Sequence, residues 1–194
     1  VDEGGTAYLW DATTGAFVHE WRSDVPMNSV QFNHDSSQFV AAGSAGTVRL
    51  FQCSRPFRVR GSPRHAEHWT TDAHVGEVFS AQFSPFQPYI ASAGTDGTVK
   101  MWTFDLGGDR RRPWRCETTI PVSIDSSVSS AQYSPDGNRI VTSGSDGMVR
   151  VYDIEDFHVD PRIPPLLLWA SPVEGGSPVG QAPRIHALSA QFSP

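Results

Sequence analysis

The sequence is poor in the features that mark secreted, metal-binding and membrane proteins. Its 194 residues include two cysteines, Cys53 and Cys116, which are too few for a disulfide framework and lack the paired spacing of a zinc site. The longest apolar run, Leu166–Ala170, is far shorter than the roughly 20 residues that cross a bilayer. The small number of cysteines leads us to expect reduced thiols in a cytoplasmic or nuclear protein, and no signal peptide is visible.

Sequence motifs of the common enzyme classes are also absent. No G-x-S-x-G, P-loop, H-E-x-x-H or G-x-G-x-x-G string occurs. His65, His68 and His74 are close together in the sequence, but no cysteine or well-placed acid completes a tetrahedral metal site. We therefore expect a protein that is not an enzyme and needs no cofactor and no metal.

Basic residues are scarce and unevenly placed. The chain has 15 Lys+Arg against 21 Asp+Glu, and its net charge of -6 argues against general nucleic-acid binding. More than half of the basic residues fall in two stretches, Ser54–Trp69 and Phe104–Glu117. Arginine beside tryptophan on a loop is typical of a binding hot spot, and planar guanidinium groups suit carboxylates and phosphates. The candidate binding residues are Arg55, Arg58, Arg60, Arg64, Trp69, Arg110, Arg111, Arg112, Trp114 and Arg115.

The dominant feature of the chain is an internal repeat. Phe83–Trp102 returns fifty residues later as Tyr133–Tyr152, which indicates one supersecondary unit copied and stacked. A short string opens each unit, at Val30–Phe32, Ala81–Phe83, Ala131–Tyr133 and Ala190–Phe192. An aromatic residue ends each unit, at Trp10, Phe51, Trp102 and Tyr152.

Within one unit the pattern predicts three strands. Val78–Phe83 alternates with period 2, and Tyr89–Ala93 is a short run of apolar and small residues. Asp96 and Gly97 then predict a tight hairpin turn, because Asp-Gly readily takes the positive φ that such turns need. Thr98–Thr103 follows as the third strand, and a fourth must come from the variable stretch beyond it. No segment has helical periodicity, so the fold class is all-β.

These units resemble WD40 repeats, which build β-propellers from four-stranded blades. In that family a His, a Ser or Thr, an Asp and a Trp form a hydrogen-bonded tetrad within a blade. The resemblance assigns these structural positions to His74, Ser92, Asp96 and Trp102. The other units depart from the pattern, with Ser23, Ala45 and Phe51 in one, and Ile124, Thr142, Asp146 and Tyr152 in another.

The resemblance implies one partial propeller domain over residues 1–194. We expect about three complete inner blade sets and two partial blades of a seven-bladed ring, the remainder coming from the same longer chain or a second chain. Because the chain starts at Val1 inside a repeat, its true N-terminus is expected to be missing. The predicted divisions are a blade end with its outer strand (1–29), blade cores (30–53, 78–103 and 128–153), basic connections with outer strands (54–77 and 104–127), a proline-rich connection (154–187) and the opening strand of the next blade (188–194).

Three functions are open at this point. The first is a non-enzymatic protein-interaction scaffold, a subunit of a larger multiprotein assembly whose partner is an acidic segment. The second is an RNA- or chromatin-associated subunit that contacts phosphates through the arginine-rich blade edge. The third and least favoured is a propeller hydrolase. For Trp69 and Trp114 the alternative interpretation is packing against the blade as part of the outer strand.

Overall fold

The computed structural model describes residues 5–53, 68–104, 114–173 and 190–192, except for the side chains of His68 and Trp69. These residues form four antiparallel sheets, one of two strands and three of four strands. In each sheet the strands pair in chain order. The fold class is therefore the predicted one, apart from one short helix.

The two-stranded sheet consists of β1 (Thr6–Trp10) and β2 (Phe17–Arg22). The first blade consists of β3 (Met27–Phe32), β4 (Gln38–Gly43), β5 (Thr47–Gln52) and β6 (His68–Asp72). The second consists of β7 (Val78–Phe83), β8 (Tyr89–Gly94), β9 (Thr98–Phe104) and β10 (Trp114–Pro121). The third consists of β11 (Val128–Tyr133), β12 (Arg139–Gly144), β13 (Met148–Asp153) and β14 (Leu166–Pro172).

The turn between β8 and β9 depends on a glycine. Gly97 has φ +74°, and a Cβ at this position would clash with the carbonyl oxygen of Ser123. This close approach lets the Gly97 carbonyl accept hydrogen bonds from the backbone N–H groups of Val122 and Ser123, each at 3.0 Å. The predicted Asp-Gly turn thus also fixes the position of the chain that follows the outer strand β10.

Apolar packing between successive sheets forms the core. Val48 and Leu50 of the first blade are almost fully buried in one cluster with Val78 and Ala81 of the second. Val99 and Met101 repeat those positions one blade later and are 0% exposed in the next cluster. Burial of apolar surface is the main favourable contribution to the free energy of folding, so each blade depends on its neighbours for stability.

Side chains of the innermost strands also join neighbouring blades by hydrogen bonds. Gln31, the central residue of the recurring string, accepts a bond from the Phe83 backbone N–H through Oε1 at 2.8 Å. Ser29 Oγ accepts one from the Ala81 N–H at 3.2 Å, and Asn28 Nδ2 donates to the Val78 carbonyl at 2.8 Å. One blade therefore fixes the position of the next through its first strand.

The stretch after β13 contains the helix that the sequence did not predict. Helix α1 (Glu155–Val159) follows Ile154, and Ile154 and Phe157 are each 1% exposed. Phe157 packs on the ring of Tyr89 in the second blade, with centroids 5.1 Å apart. The all-β fold class still holds, because this single turn, which burial of two apolar side chains stabilises, is too short to show helical periodicity.

Two further observations complete the fold. Of the predicted opening strand of the next blade, residues 190–192 are described and form no strand. Among the described residues, no helix is long and apolar enough to cross a membrane.

Candidate functional site

The structure brings the four residues of the predicted tetrad together in the second blade. His74 Nδ1 lies 2.8 Å from Asp96 Oδ1, and its Nε2 lies 2.7 Å from Ser92 Oγ. Trp102 Nε1 donates to the same Ser92 oxygen at 2.9 Å. Gly94 makes room for this arrangement, because a Cβ there would lie 2.8 Å from His74 Cγ.

Elementary chemistry assigns the protons in this chain of bonds. A carboxylate only accepts, so His74 Nδ1–H donates to Asp96 and Nε2 accepts from the Ser92 hydroxyl. Burial lowers the pKa of His74, and the hydrogen bond to Asp96 only partly opposes this effect. Burial alone would raise the pKa of Asp96, but hydrogen bonds from His74 and Thr98 outweigh it and lower that pKa. A neutral imidazole thus joins a tryptophan to a carboxylate, and these polar groups satisfy one another in series.

The third blade lacks a complete tetrad. Ile124 occupies the position of the histidine and its side chain is 97% exposed. Thr142 Oγ1, in the position of Ser92, is buried and has no hydrogen-bond partner among the described residues. Asp146 instead accepts a bond from Arg150 Nη2 at 2.7 Å.

The first blade replaces the tetrad with an arginine that we did not single out in the sequence. The buried Arg49 donates to Ser23 Oγ and Asp24 Oδ1, each at 2.6 Å. Lys100, in the equivalent position one blade later, donates to the Ala73 carbonyl at 2.6 Å. The sequence does contain a signal for this position, because Arg49, Lys100 and Arg150 recur in the third strand of each blade at nearly the repeat spacing.

The antiparallel order divides the loops between two faces. The tetrad and the turns at 44–46, 95–97 and 145–147 lie on one face. The hairpins at 33–37 and 84–88 lie on the other, where the stretches 54–67 and 105–113 leave the described strands after β5 and β9. We call this second face the basic face, since those two stretches carry half of the fourteen arginines.

Most of the predicted binding residues cannot be located on this face. Arg55, Arg58, Arg60, Arg64, Arg110, Arg111 and Arg112 lie outside the described residues, and so does the side chain of Trp69. Arg115 is described, and its side chain is 79% exposed with Nε 3.4 Å from Glu117 Oε2.

Trp114 is partly buried on the blade. Its ring meets the rings of Phe104 and Trp102 edge to face, with centroids 5.1 Å and 6.3 Å apart. Its Nε1 is buried without a hydrogen-bond partner among the described residues. These contacts favour the packing interpretation for this tryptophan, and the arginines on either side of it stay as the predicted binding groups.

A cleft of about 610 Å³ separates the first and second blades on the basic face. One wall consists of residues 33–35 with Gln38 and Leu50, and the other consists of residues 83–88 with Ile90 and Phe104. Phe86 is the most exposed aromatic side chain of this lining, at 70%. No cluster of His, Cys, Asp or Glu suited to a metal ion occurs in the described part of the chain.

The sequence matches the family model of the WD domain, G-beta repeat, over residues 15–52, 67–103 and 114–153. Each range covers the outer strand of one sheet and the three inner strands of the next, namely β2 to β5, β6 to β9 and β10 to β13. The chain belongs to the WD40 repeat family.

Its curated relatives include several WD repeat proteins. The chain is 28% identical over 107 residues to WD repeat-containing protein 91 of Rattus norvegicus, a match that covers 54% of this chain and 13% of that protein. The Danio rerio protein of the same name is 31% identical over 107 residues, covering 54% and 14%. The U3 small nucleolar RNA-associated protein 21 homolog of Schizosaccharomyces pombe is 26% identical over 102 residues, covering 52% and 10%. The chain thus spans only a small part of the length of these relatives.

Proposed function

We propose that this chain is part of a non-enzymatic scaffold subunit of a cytoplasmic or nuclear multiprotein assembly, and that its basic face binds acidic segments of partner proteins. Membership of the WD40 family supports the general role, because WD repeat proteins act as protein-interaction scaffolds. The proposal of an acidic partner rests on the face at which the strands before the two basic stretches end. Both leave the described strands at the same face, beside one inter-blade cleft.

Electrostatics supports an acidic partner. The chain as a whole is acidic, whereas the stretch 54–67 has four arginines against one acidic residue and the stretch 105–113 has three against two. Such a contrast increases the rate of encounter with partners of opposite charge and fixes their orientation. Arginine is well suited to this role because its guanidinium group binds a carboxylate through two parallel hydrogen bonds.

A second function has a specific observation in its favour. One relative is named as associated with U3 small nucleolar RNA, and guanidinium groups bind phosphates as well as carboxylates. An RNA- or chromatin-associated role is therefore the alternative that the experiment must distinguish. The hydrolase considered from the sequence gains no support from any relative's name.

The test compares two probes with the full chain by fluorescence anisotropy at increasing salt, namely a fluorescein-labelled decaglutamate peptide and a labelled uridine decamer. We expect salt-sensitive binding of decaglutamate that weakens at least several-fold when Arg110 and Arg111 are both replaced by glutamine. The control, Arg22→Gln, removes an exposed cation at the end of β2 that lies toward the opposite face and should bind as the wild type does; its side chain is 78% exposed.

The outcomes separate the two functions. A comparable loss in the Arg22→Gln control would show a general charge effect and would contradict a site on the basic face. Tighter binding of the uridine decamer, with the steep salt dependence of phosphate contacts, would favour the RNA-associated function instead. Trp114 is left unchanged in this design, because its packing on Phe104 and Trp102 makes a folding defect the expected result of its removal.

A further inference from the structure

The outer strand of the third blade has an apolar edge. Among the described residues β14 pairs with β13 alone, so the backbone groups along its other edge have no partner strand. Four of its side chains are between 47% and 65% exposed, namely Leu166, Leu167, Leu168 and Trp169. The strand contains no charged residue. An exposed apolar edge of this kind is a template for pairing with another strand.

Outer strands elsewhere in the chain carry charged residues. β10 has Arg115 and Glu117, whose side chains form an ion pair at 3.4 Å, and β2 contains an ion pair of the same kind. Such charges oppose edge-to-edge pairing, because they would have to give up water on association. β14 pairs with β13 as β10 pairs with β9, with the extra residue of the bulge at the same place. The third blade therefore has Leu166 and Leu168 where the second has the charged pair.

Stacking of a further blade would leave this edge free. Blades pack face to face, and the second blade has the first on one face and the third on the other. Its outer strand β10 still pairs with β9 alone in the described part of the chain, and Arg115 is 79% exposed. A blade packed on the third one would likewise cover a face of β14 and not its edge.

The chemistry of the strand suits a second copy of itself. Pro165 precedes it and Pro172 ends it, so residues 166–171 form a run in which every residue has the backbone N–H that a ladder needs. When two such runs pair antiparallel over their full length, Leu168 and Trp169 of the two copies meet at the centre. Contacts between apolar side chains across two strands stabilise a sheet. A charged partner strand would instead bring its charges against an uncharged edge.

We propose that two copies of this chain associate through antiparallel pairing of β14 with β14. The pairing is isologous and uses the edge of both copies, so it stops at a dimer. Because six residues from each copy bury a small area, the dimer should be weak and concentration-dependent, as interfaces below about 1,200 Å² are. The dimer is independent of what the basic face binds, and it doubles the number of binding faces in one scaffold.

Sedimentation velocity of the full chain measures the association over a roughly hundredfold range of concentration. We expect a monomer–dimer equilibrium, with an average mass that rises toward twice that of the chain. The test variant, Leu166→Arg with Leu168→Glu, introduces the charged pair of β10 at the equivalent positions and should stay monomeric throughout. The control, Val75→Arg with Ile124→Glu, makes the same changes of charge at two exposed apolar residues in loops between blades and should dimerise as the wild type does.

Hydrogen–deuterium exchange at the two ends of the concentration range locates the interface. Backbone amides of residues 166–171 should exchange more slowly in the concentrated wild-type chain, a result that decides even if the test variant does not fold. A chain that is monomeric at every concentration, or a dimer that persists in the folded test variant, would overturn the proposal. A dimer without protection of residues 166–171 would do the same, because its interface would lie on another surface.

Discussion

The hydroxyl group of Ser92 offers the sharpest test of how a blade is stabilised. It accepts from Trp102 Nε1 at 2.9 Å and donates to His74 Nε2 at 2.7 Å, and Ser92 is 0% exposed. Ser92→Ala leaves two buried polar groups without a partner. Each such group costs about 1–3 kcal/mol, so for the two groups the free energy of unfolding should fall by roughly 2–6 kcal/mol.

The third blade provides a matched control for this substitution. Thr142 has the same position and is equally buried, but its Oγ1 has no partner among the described residues. Thr142→Val keeps the shape and removes an unpaired buried hydroxyl, so stability should be unchanged or rise by about 1 kcal/mol. Urea denaturation of the full chain, followed by tryptophan fluorescence, measures both values. Equal destabilisation by the two substitutions would refute the reasoning, because it would mean that the tetrad hydrogen bonds contribute nothing specific.

Three other predictions concern the turns, the pH dependence and the buried arginine. Gly97→Ala should destabilise by more than 2 kcal/mol in the same assay, since it adds a clash to the cost of a positive φ, whereas Gly15→Ala, with open space around its Cβ, should cost only about 1–2 kcal/mol. The pKa of His74 is lower in the folded protein than the ordinary value of 6.5, so below pH 6.5 the unfolded chain binds a proton that the folded protein does not. The free energy of unfolding should therefore decrease as the pH falls below 6.5. In a His74→Gln variant this decrease between pH 7 and 5 should be absent. Arg49→Ala should cost several times more than Asp24→Ala, because the arginine is buried while the Asp24 side chain is 84% exposed.

Much of the second blade could be predicted from local pattern. The period-2 alternation of Val78–Phe83 and the Asp-Gly turn at Asp96 and Gly97 depend on neighbours in the chain, so sequence alone specifies them. The four tetrad positions followed from the family resemblance, and the structure places their polar atoms within hydrogen-bonding distance.

Features that depend on contacts between blades could not be predicted in this way. Helix α1 is too short for a periodic signal and forms where Phe157 can reach Tyr89 in another blade. Gln31 was visible as a repeat marker, but its bond to the Phe83 N–H requires two sheets to be stacked in a particular register. Within one blade, the position of Trp114 on Phe104 depends on the pairing of β9 with β10, two strands that the variable stretch 105–113 separates in the sequence.

Hydrogen–deuterium exchange of the full chain shows which face an acidic partner occupies. Exchange is compared with and without saturating decaglutamate at low salt. If the basic face binds, we expect slower exchange in the hairpins at 33–37 and 84–88 and in the stretches 54–67 and 105–113, with no change in the turns at 44–46 and 95–97. Protection confined to those opposite turns, or spread evenly over both faces, would contradict binding at the basic face.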